Sequence, residues 1–162
     1  MYADFVNFLI LVSEQMKYLL TVLLCFGAVN VFAEDLSGFD RGIANVYKAV
    51  ETAIKKGDSE AVYKKLYREG AVVAAEGTPQ VARDKKSLMA IIDDVLKSTR
   101  DCVIAPDSAR EVSGKLAYSF VTYKCIPVGS RERNLIYRGV YIWSNDGKDW
   151  RVLGEIFGSG SM

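Results

Sequence analysis

The acidic residue whose position best suits chemistry is Glu155, near the C-terminus. It alternates with Leu153 and Phe157, and alternate residues of a strand share one face. A carboxyl group on an apolar face has a raised pKa, so it could remove a proton next to a carbonyl while a tyrosine stabilises the enolate. The alternative is an ion pair with Arg138 or Arg151 across neighbouring strands. Both interpretations stay open from the residues alone.

Several aromatic residues could accompany this carboxylate. Tyr141 and Trp143 alternate with Gly139 on one predicted strand, as does Tyr137, and Tyr123 lies on the preceding hairpin. Tyr47 lies on the apolar stripe of a predicted helix, from which its hydroxyl could point into a pocket. Such stripes are more typical of a core or an interface than of a ligand site. The candidate binding residues are Tyr47, Tyr123, Arg138, Tyr141 and Trp143, with Arg138 either an anion-binding group or a paired strand residue.

The chain contains no histidine. This excludes Ser-His-Asp and Cys-His catalysis, a histidine general base and histidine-ligated zinc. Asp93 and Asp94 are adjacent on a predicted helix, where neighbouring side chains diverge by about 100°. We therefore predict neither a metal site nor a cofactor.

The first 33 residues resemble an N-terminal extension followed by a secretory signal peptide. Met16-Lys17 supplies a start and one positive charge, an apolar run follows, and Val31-Phe32-Ala33 is typical of a cleavage site. We expect translation to start at Met16 and cleavage after Ala33, although a long signal or an uncleaved anchor starting at Met1 stays open. The prediction is an exported protein, periplasmic or secreted, with one domain over residues 34–162.

The charge balance bears on the partners. The chain has 21 basic and 20 acidic residues, and without Lys17, Asp4 and Glu14 the mature segment has 20 and 18, a net charge of +2. A net charge of +2 is too small to indicate a basic surface that binds nucleic acid. A small apolar or amphipathic ligand, or an envelope protein, is the expected partner.

Two cysteines, Cys102 and Cys125, follow the expected cleavage site. Exported chains keep disulfides. A two-residue turn at Ser113-Gly114 would place the two cysteines opposite each other as a hydrogen-bonded pair about 5.5 Å apart between Cα atoms, within disulfide range. A bulge near Pro106 could shift this register. We predict a structural disulfide, with free buried thiols or a reactive site as the alternatives.

The periodicity predicts three helices and five strands. Helices are expected over 37–56, from the Asp58 cap to Gly70, and from the Asp84 cap to about Lys97. Strands are expected over 71–76, 101–112, 115–127, 133–144 and 149–157. The order helix, helix, strand, helix, four strands indicates the α+β class, with helices on one face of a curved antiparallel sheet. The other face should be partly polar or dimerise.

The order of these helices and strands, together with the residues at their ends and turns, resembles the nuclear transport factor 2-like superfamily, in its SnoaL-like branch. The matching segments are Ile54 to Ala61, Leu66-Tyr67 into Ala71-Val72-Val73, Gly114 to Tyr118, Arg138 to Tyr141, and Trp143 with Asp146-Gly147 and Trp150 to Val152. They span about Phe39 to Phe157. This sequence differs from the family pattern at Ala82-Arg83-Asp84, where many relatives carry a glycine before the third helix.

The resemblance implies a cystatin-like cone, in which a strongly bent sheet wraps around the helices and leaves a pocket, often with a homodimer through the sheet. Its members include isomerases, cyclases and pure binding modules, so the fold carries little functional weight. The first hypothesis is an exported, non-catalytic small-ligand-binding or protein-interaction module. The second is an isomerase- or cyclase-type enzyme with Glu155 as base and Tyr47 or Tyr123 as hydrogen-bond donor.

Overall fold

The computed structural model describes residues 36–160. From Gly38 onward, the described residues belong to one compact unit. The elements below lie in this unit, apart from the first two residues of the first helix. The predicted signal peptide and its cleavage site lie outside the described residues, as do both alternative starts.

Three helices precede or interrupt the strands, as predicted. Helix α1 covers 36–56, α2 Ser59–Leu66 and α3 Lys85–Ser98. Gly57 ends α1 in the left-handed region at φ 67°. The Asp58 carboxylate accepts a hydrogen bond from the Ala61 amide at 2.9 Å, and Asp84 accepts one from Ser87 at 2.8 Å. Both predicted caps are therefore present. No helix within residues 36–160 is long and apolar enough to cross a membrane.

Five strands form one curved sheet in the order β1-β5-β4-β3-β2. The strands are β1 (Tyr67–Ala75), β2 (Thr99–Ser113), β3 (Leu116–Pro127), β4 (Leu135–Asn145) and β5 (Trp150–Ser159). The predicted α+β class and element order are confirmed. The pairing of β1 with β5 is parallel, whereas the other three pairs are antiparallel. A parallel neighbour reaches the sheet only through a long connection, which here comprises α3 and three strands.

Gly70 does not end α2, which stops at Leu66. The strand begins at Tyr67 instead, and its register against β5 shifts between Tyr67 and Val72. Gly70 lies in this irregular stretch with φ 76°, a conformation that glycine adopts without steric cost. The glycine therefore marks a bulge rather than a helix end, and the difference moves Tyr67 into the sheet.

The predicted disulfide between Cys102 and Cys125 is present, but the register arises differently. The hairpin closes on Ser113 and Leu116, so the turn is Gly114-Lys115. A bulge between Pro106 and Arg110 then shifts the register by two residues and brings the cysteines opposite each other. Their Cα atoms are 4.0 Å apart, closer to the spacing of a non-hydrogen-bonded pair than to the expected 5.5 Å.

The core lies between the helices and the concave face of the sheet. The apolar stripe of α1 is buried there, and the largest fully buried side chains include Trp143, Tyr141 and Phe39. The Phe39 ring meets Trp143 and Trp150 edge-on at 6.1 and 4.9 Å, an arrangement favoured by the ring quadrupoles. This packing holds α1 across the sheet and leaves space on either flank.

The convex face of the sheet carries two rows of residues without a charge. One row joins Tyr118, Ile142, Gly154 and Val72 across four strands, and the next joins Phe120, Val140, Ile156 and Ala74. Ile156 is 65% exposed and Ile142 is 49% exposed. The face that the helices leave open is therefore apolar at its centre.

Candidate functional site

An apolar pocket lies between the three helices and the concave face of the sheet. Its volume is about 60 Å³, which has room for a few water molecules and is smaller than the roughly 300–1,000 Å³ of typical small-molecule sites. The helices contribute mainly aliphatic side chains and the sheet contributes the polar ones. The polar or aromatic lining residues include Tyr67, Tyr123, Tyr137, Tyr141, Glu155 and Phe157.

Glu155 is the acidic group of this pocket. Its side chain is turned inward, and the residue is only 7% exposed. Burial raises the pKa of the Glu155 carboxyl to about 7, although hydrogen bonds from Tyr67 and Tyr141 lower it in part. At neutral pH the carboxyl is consequently divided between its charged and its neutral form.

The predicted face of Glu155 is inward, but the alternation behind that prediction is interrupted. Ile142 pairs with Gly154 and Trp143 pairs with Val152, so Leu153 is an extra residue in β5. Glu155 therefore shares the inward side with Phe157, which also lines the pocket, and with the fully buried Val152. The bulge at Leu153 resets the strand so that the carboxylate faces the pocket.

Tyr67 is the hydrogen-bond donor closest to this carboxylate. Its hydroxyl donates a short hydrogen bond to Glu155 Oε2. Burial, followed by the nearby Glu155 charge, raises the pKa of Tyr67 well above its usual value. Tyr67 therefore stays protonated and remains a donor at any physiological pH. The sequence analysis missed this residue because it predicted that the second helix extends to Gly70. The proximity of Tyr67 to Gly70 was the available signal that this segment could be a bulged strand.

Tyr123 and Tyr141 face the same pocket from β3 and β4. Their hydroxyl groups form a short hydrogen bond with each other. Burial raises the pKa of each well above its usual value, and the Glu155 charge raises it further. Two of the predicted binding residues, Tyr123 and Tyr141, thus lie together with Glu155. With Tyr67, they place three protonated hydroxyl groups around one carboxylate.

Neither arginine considered as a partner pairs with Glu155. The Arg138 guanidinium donates to the Gly160 carbonyl at 2.6 Å, and Arg151 contacts Asp149 at 3.3 Å. Within residues 36–160, no cationic nitrogen lies within ion-pair distance of the Glu155 carboxylate. Arg138 does border the pocket, but its guanidinium binds the Gly160 carbonyl instead of Glu155.

Trp143 and Tyr47 belong to the core beside the pocket. Trp143 is fully buried, and its indole Nε1 donates to Ser119 Oγ at 2.9 Å. Tyr47 packs edge-on against Trp143 with ring centroids 5.8 Å apart. Burial raises the pKa of Tyr47 to about 12. Neither residue is part of the pocket lining around Glu155.

The disulfide forms part of the pocket wall. Cys102 and Cys125 both line the pocket and are 2% and 0% exposed. Cys125 is two residues from Tyr123 on β3, so both side chains lie on one face. The bridge therefore fixes the strand that presents the Tyr123 hydroxyl. Among the described residues, no group of three or more cysteine, aspartate or glutamate side chains could hold a metal ion.

The arrangement has the parts needed for proton transfer without a cofactor. A carboxyl group with a pKa of about 7 can accept and return a proton at neutral pH. Neutral hydroxyl groups beside it can stabilise an oxyanion in an apolar surrounding, where such interactions are stronger than in water. The same groups can also simply orient a bound molecule that carries one polar atom.

No known family's sequence profile matches the chain, and no curated protein matches it. Solved structures do match. A domain of unknown function with a cystatin-like fold from Nostoc punctiforme is 21% identical, with 80% of this chain and 79% of that chain covered and a TM-score of 0.62. An NTF2-like protein with a cystatin-like fold from Novosphingobium aromaticivorans is 17% identical, with 84% and 90% covered and a TM-score of 0.60.

A third similar structure is a ketosteroid isomerase-like protein from Erwinia carotovora atroseptica. It is 16% identical, the match covers 75% of this chain and 96% of that chain, and the TM-score is 0.58. These likenesses show that the chain has the NTF2-like, cystatin-like fold. At such identities they show the fold alone, so the function has to be argued from the pocket.

Proposed function

We propose that the chain is a small acid–base enzyme of the isomerase type, acting on a small, mostly apolar carbonyl compound. The observation that carries this proposal is the buried Glu155 carboxyl, which lies beside tyrosine hydroxyls and has no described cation within ion-pair distance. A structural ion pair would have explained Glu155 without function. Since that explanation does not hold, a buried carboxyl with a pKa of about 7 is best understood as a proton-transfer group.

The proposed reaction moves one proton and needs no co-reactant. The Glu155 carboxylate takes a proton from the carbon next to the carbonyl, and the C–H electron pair becomes the double bond of an enolate. The carbonyl π electrons move to oxygen, where a tyrosine hydroxyl of the pocket donates a hydrogen bond. Glu155 then returns the proton to another carbon of the conjugated system. One of the similar structures is described as ketosteroid isomerase-like, which fits this class of reaction.

The experiment uses cyclohex-3-enone, a small β,γ-unsaturated ketone. Conversion to the conjugated cyclohex-2-enone is followed by its ultraviolet absorbance. Glu155→Gln should lower kcat/KM at least about 100-fold, the usual contribution of a general base. The matched control is Glu111→Gln, a substitution of an exposed carboxylate on β2, which should retain the wild-type rate.

The pH profile gives a second readout of the same proposal. Because the base must be ionised, kcat/KM should rise with pH and level off above the Glu155 pKa of about 7. No decline is expected up to about pH 10, since burial keeps the pocket tyrosines protonated. A wild-type protein that binds the ketone but shows no turnover between pH 5 and 9 would contradict catalysis.

That outcome would favour the other candidate, a non-catalytic module that binds a small ligand. The apolar lining of the pocket supports it, because apolar walls with a few polar groups are typical of ligand sites. Under this alternative the Glu155–Tyr67 pair only orients the ligand. Glu155→Gln would then change the affinity for the ketone, with no rate to lose.

We also propose that a second copy of the chain covers the convex face. The two rows across four strands form a patch without a charged side chain, in which the Tyr118 hydroxyl is the only polar side-chain group. A twofold interface brings the same patch together from both subunits, so an uncharged apolar patch is self-complementary. Export stays part of the proposal, and the buried disulfide supports it because such bridges persist in oxidising compartments.

A further inference from the structure

The mouth of the Glu155 pocket lies between α3 and the ends of two strands. The residues that line the pocket are mostly buried, and the partly exposed ones lie mainly on α3, at the start of β4 and at the end of β5. On the sheet side these include Tyr137 and Phe157, whose rings meet edge-on with centroids 6.3 Å apart. Phe157 shares the inward face of β5 with the buried Glu155, so its ring stands between the carboxyl group and the mouth.

The end of β5 that carries Phe157 is fastened by two side chains from neighbouring strands. The Glu76 carboxylate, just after β1, accepts hydrogen bonds from the Ser159 amide at 2.6 Å and from the Ser159 hydroxyl at 2.9 Å. The Arg138 guanidinium of β4 donates to the Gly160 carbonyl at 2.6 Å. We call Glu76 and Arg138 the latch. It holds the residues that follow Phe157 from both sides, because β5 lies between β1 and β4 in the sheet.

The local structure makes room for the Glu76 side of this latch. A Cβ atom added to Gly158 would lie only 2.9 Å from Glu76 Oε2, so the glycine leaves the space that the carboxylate occupies. The hydrogen bonds from Ser159 hold the pKa of the Glu76 carboxyl below its usual value. Glu76 is therefore ionised at neutral pH and accepts both bonds in the stronger, charge-assisted form.

Of the two sides of the mouth, the sheet side is the one suited to local opening. On the other side, α3 is anchored by Leu88 and Ile92, which are 1% and 5% exposed, and by its capping box. The latch bonds, in contrast, are exposed to solvent, where water can replace them when they break. Exposed hydrogen bonds and few buried apolar contacts are typical of a segment that opens without global unfolding.

We propose that Phe157 is the gate of the Glu155 pocket and that the latch controls how often this gate opens. When the latch bonds break, residues 157–160 leave the sheet and the Phe157 ring leaves the mouth. The narrow pocket of about 60 Å³ then widens for an entering molecule. The identity of that molecule, a small ketone, rests on the proposed function, whereas the opening itself is measured without any substrate.

The test uses the disulfide as an internal probe of access. Cys102 and Cys125 line the same pocket and are 2% and 0% exposed, so dithiothreitol reaches them only after an opening. Its reduction of the full chain is followed by alkylating the new thiols and counting them by mass spectrometry. Phe157→Ala removes the gate and should accelerate reduction at least about tenfold. Glu76→Ala should accelerate it at least about fivefold, because two charge-assisted hydrogen bonds are lost.

Three single variants and one double variant make this comparison specific. Gly158→Ala displaces the Glu76 carboxylate without removing it and should accelerate reduction about 2- to 12-fold, the range for one hydrogen bond. Glu76→Gln keeps an acceptor oxygen, so its rate should lie between those of wild type and Glu76→Ala. Glu111→Gln, at an exposed carboxylate of β2, is the matched control and should react like wild type. Glu76→Ala combined with Phe157→Ala should react like Phe157→Ala alone, because the latch then has no gate to hold.

Urea unfolding of each variant separates local opening from global unfolding. The proposal is supported if Glu76→Ala accelerates reduction by a larger factor than it raises the equilibrium constant of unfolding. It is overturned if these two factors are equal, if Glu76→Ala and Phe157→Ala both react like wild type, or if the two substitutions act independently in the double variant. A chain that shows the gate but no turnover of cyclohex-3-enone would contradict only the proposed catalysis, so the two failures are distinguishable.

Discussion

Two neighbouring residues of β5 show how the two faces of the sheet differ. Glu155 is a carboxylate that is 7% exposed on the concave face, whereas Ile156 is an isoleucine that is 65% exposed on the convex face. Each is the reverse of what solvation alone favours. Under the proposed function, the concave face accepts a costly buried acid because proton transfer needs it there. Under the proposed self-association, the convex face exposes apolar side chains because a second copy of the chain covers them. The predictions below test these two explanations, beginning with the largest expected effects.

The first prediction concerns the cost of burying Glu155. Since its pKa is raised from 4.5 to about 7 in the folded state, the folded chain keeps a proton that the unfolded chain loses between these values. Wild-type stability should therefore fall as the pH rises from about 4.5 to 7, by roughly 3 kcal/mol in total. Glu155→Gln removes this dependence, so it should be the more stable protein at pH 8.

The measurement is urea unfolding of wild type and Glu155→Gln at several pH values from 4 to 8. Subtracting the two profiles cancels the other titrating groups. A difference that stays flat across this range would show that the carboxyl is solvated, which would remove the basis of the comparison. Glu111→Gln, at an exposed site, should give such a flat difference.

The second prediction tests how firmly the concave wall is held. Replacing Cys102 and Cys125 together by alanine should lower the free energy of unfolding by about 3 kcal/mol, because the bridge closes a loop in the unfolded chain. The sequence separation of 23 residues sets this estimate. Equal unfolding midpoints for wild type with and without a strong reductant would contradict it.

The third prediction concerns the convex face. Ile156→Lys places a charge at the centre of the uncharged rows and should weaken self-association at least tenfold, since an unpaired charge would be buried. Sedimentation velocity over a range of concentrations measures this effect. Val103→Lys is the control, because Val103 is 47% exposed but lies outside the two rows. A wild-type chain that stays monomeric at high concentration would show that these side chains face water.

The smallest effect is expected at Tyr67. Tyr67→Phe removes a hydrogen bond that lowers the pKa of Glu155, so that pKa should rise further, by about one unit. Carboxyl carbon-13 NMR of Glu155 follows the titration directly. Tyr63→Phe is the control, because the Tyr63 ring stacks on Tyr67 at 6.3 Å without donating to Glu155. If both variants titrate like wild type, the Tyr67 contact does not tune the acid.

Much of the fold could be predicted because its signals are local. The 3.6-residue apolar period of α1, the caps at Asp58 and Asp84, and the turn at Asn145-Asp146-Gly147 depend on residues close in sequence. The inward direction of Glu155 agrees with its alternation with Phe157, whereas the predicted alternation with Leu153 is broken by the bulge. The cysteine pairing was also predicted, although by a simpler hairpin. The turn lies one residue later than predicted, and the bulge between Pro106 and Arg110 shifts the register back so that the two cysteines still face each other.

The local pattern gave a wrong prediction where a glycine with positive φ is compatible with two structures. Gly70 was interpreted as a helix end, yet a glycine with positive φ equally suits a bulge in a strand. That choice hid Tyr67, the donor to Glu155, because the parallel pairing of β1 with β5 joins segments about 80 residues apart. No short window of sequence contains both partners of such a contact.

By itself, the sequence determined the α+β class and the absence of histidine chemistry, since the first depends on short repeats and the second on composition. The tertiary structure alone decided the environment of Glu155. Tyr67, Tyr123 and Tyr141 approach it from three strands while Arg138 and Arg151 are held elsewhere. The physical reason is that a pKa depends on desolvation and on the charges nearby in space, and the folded arrangement of distant segments sets both.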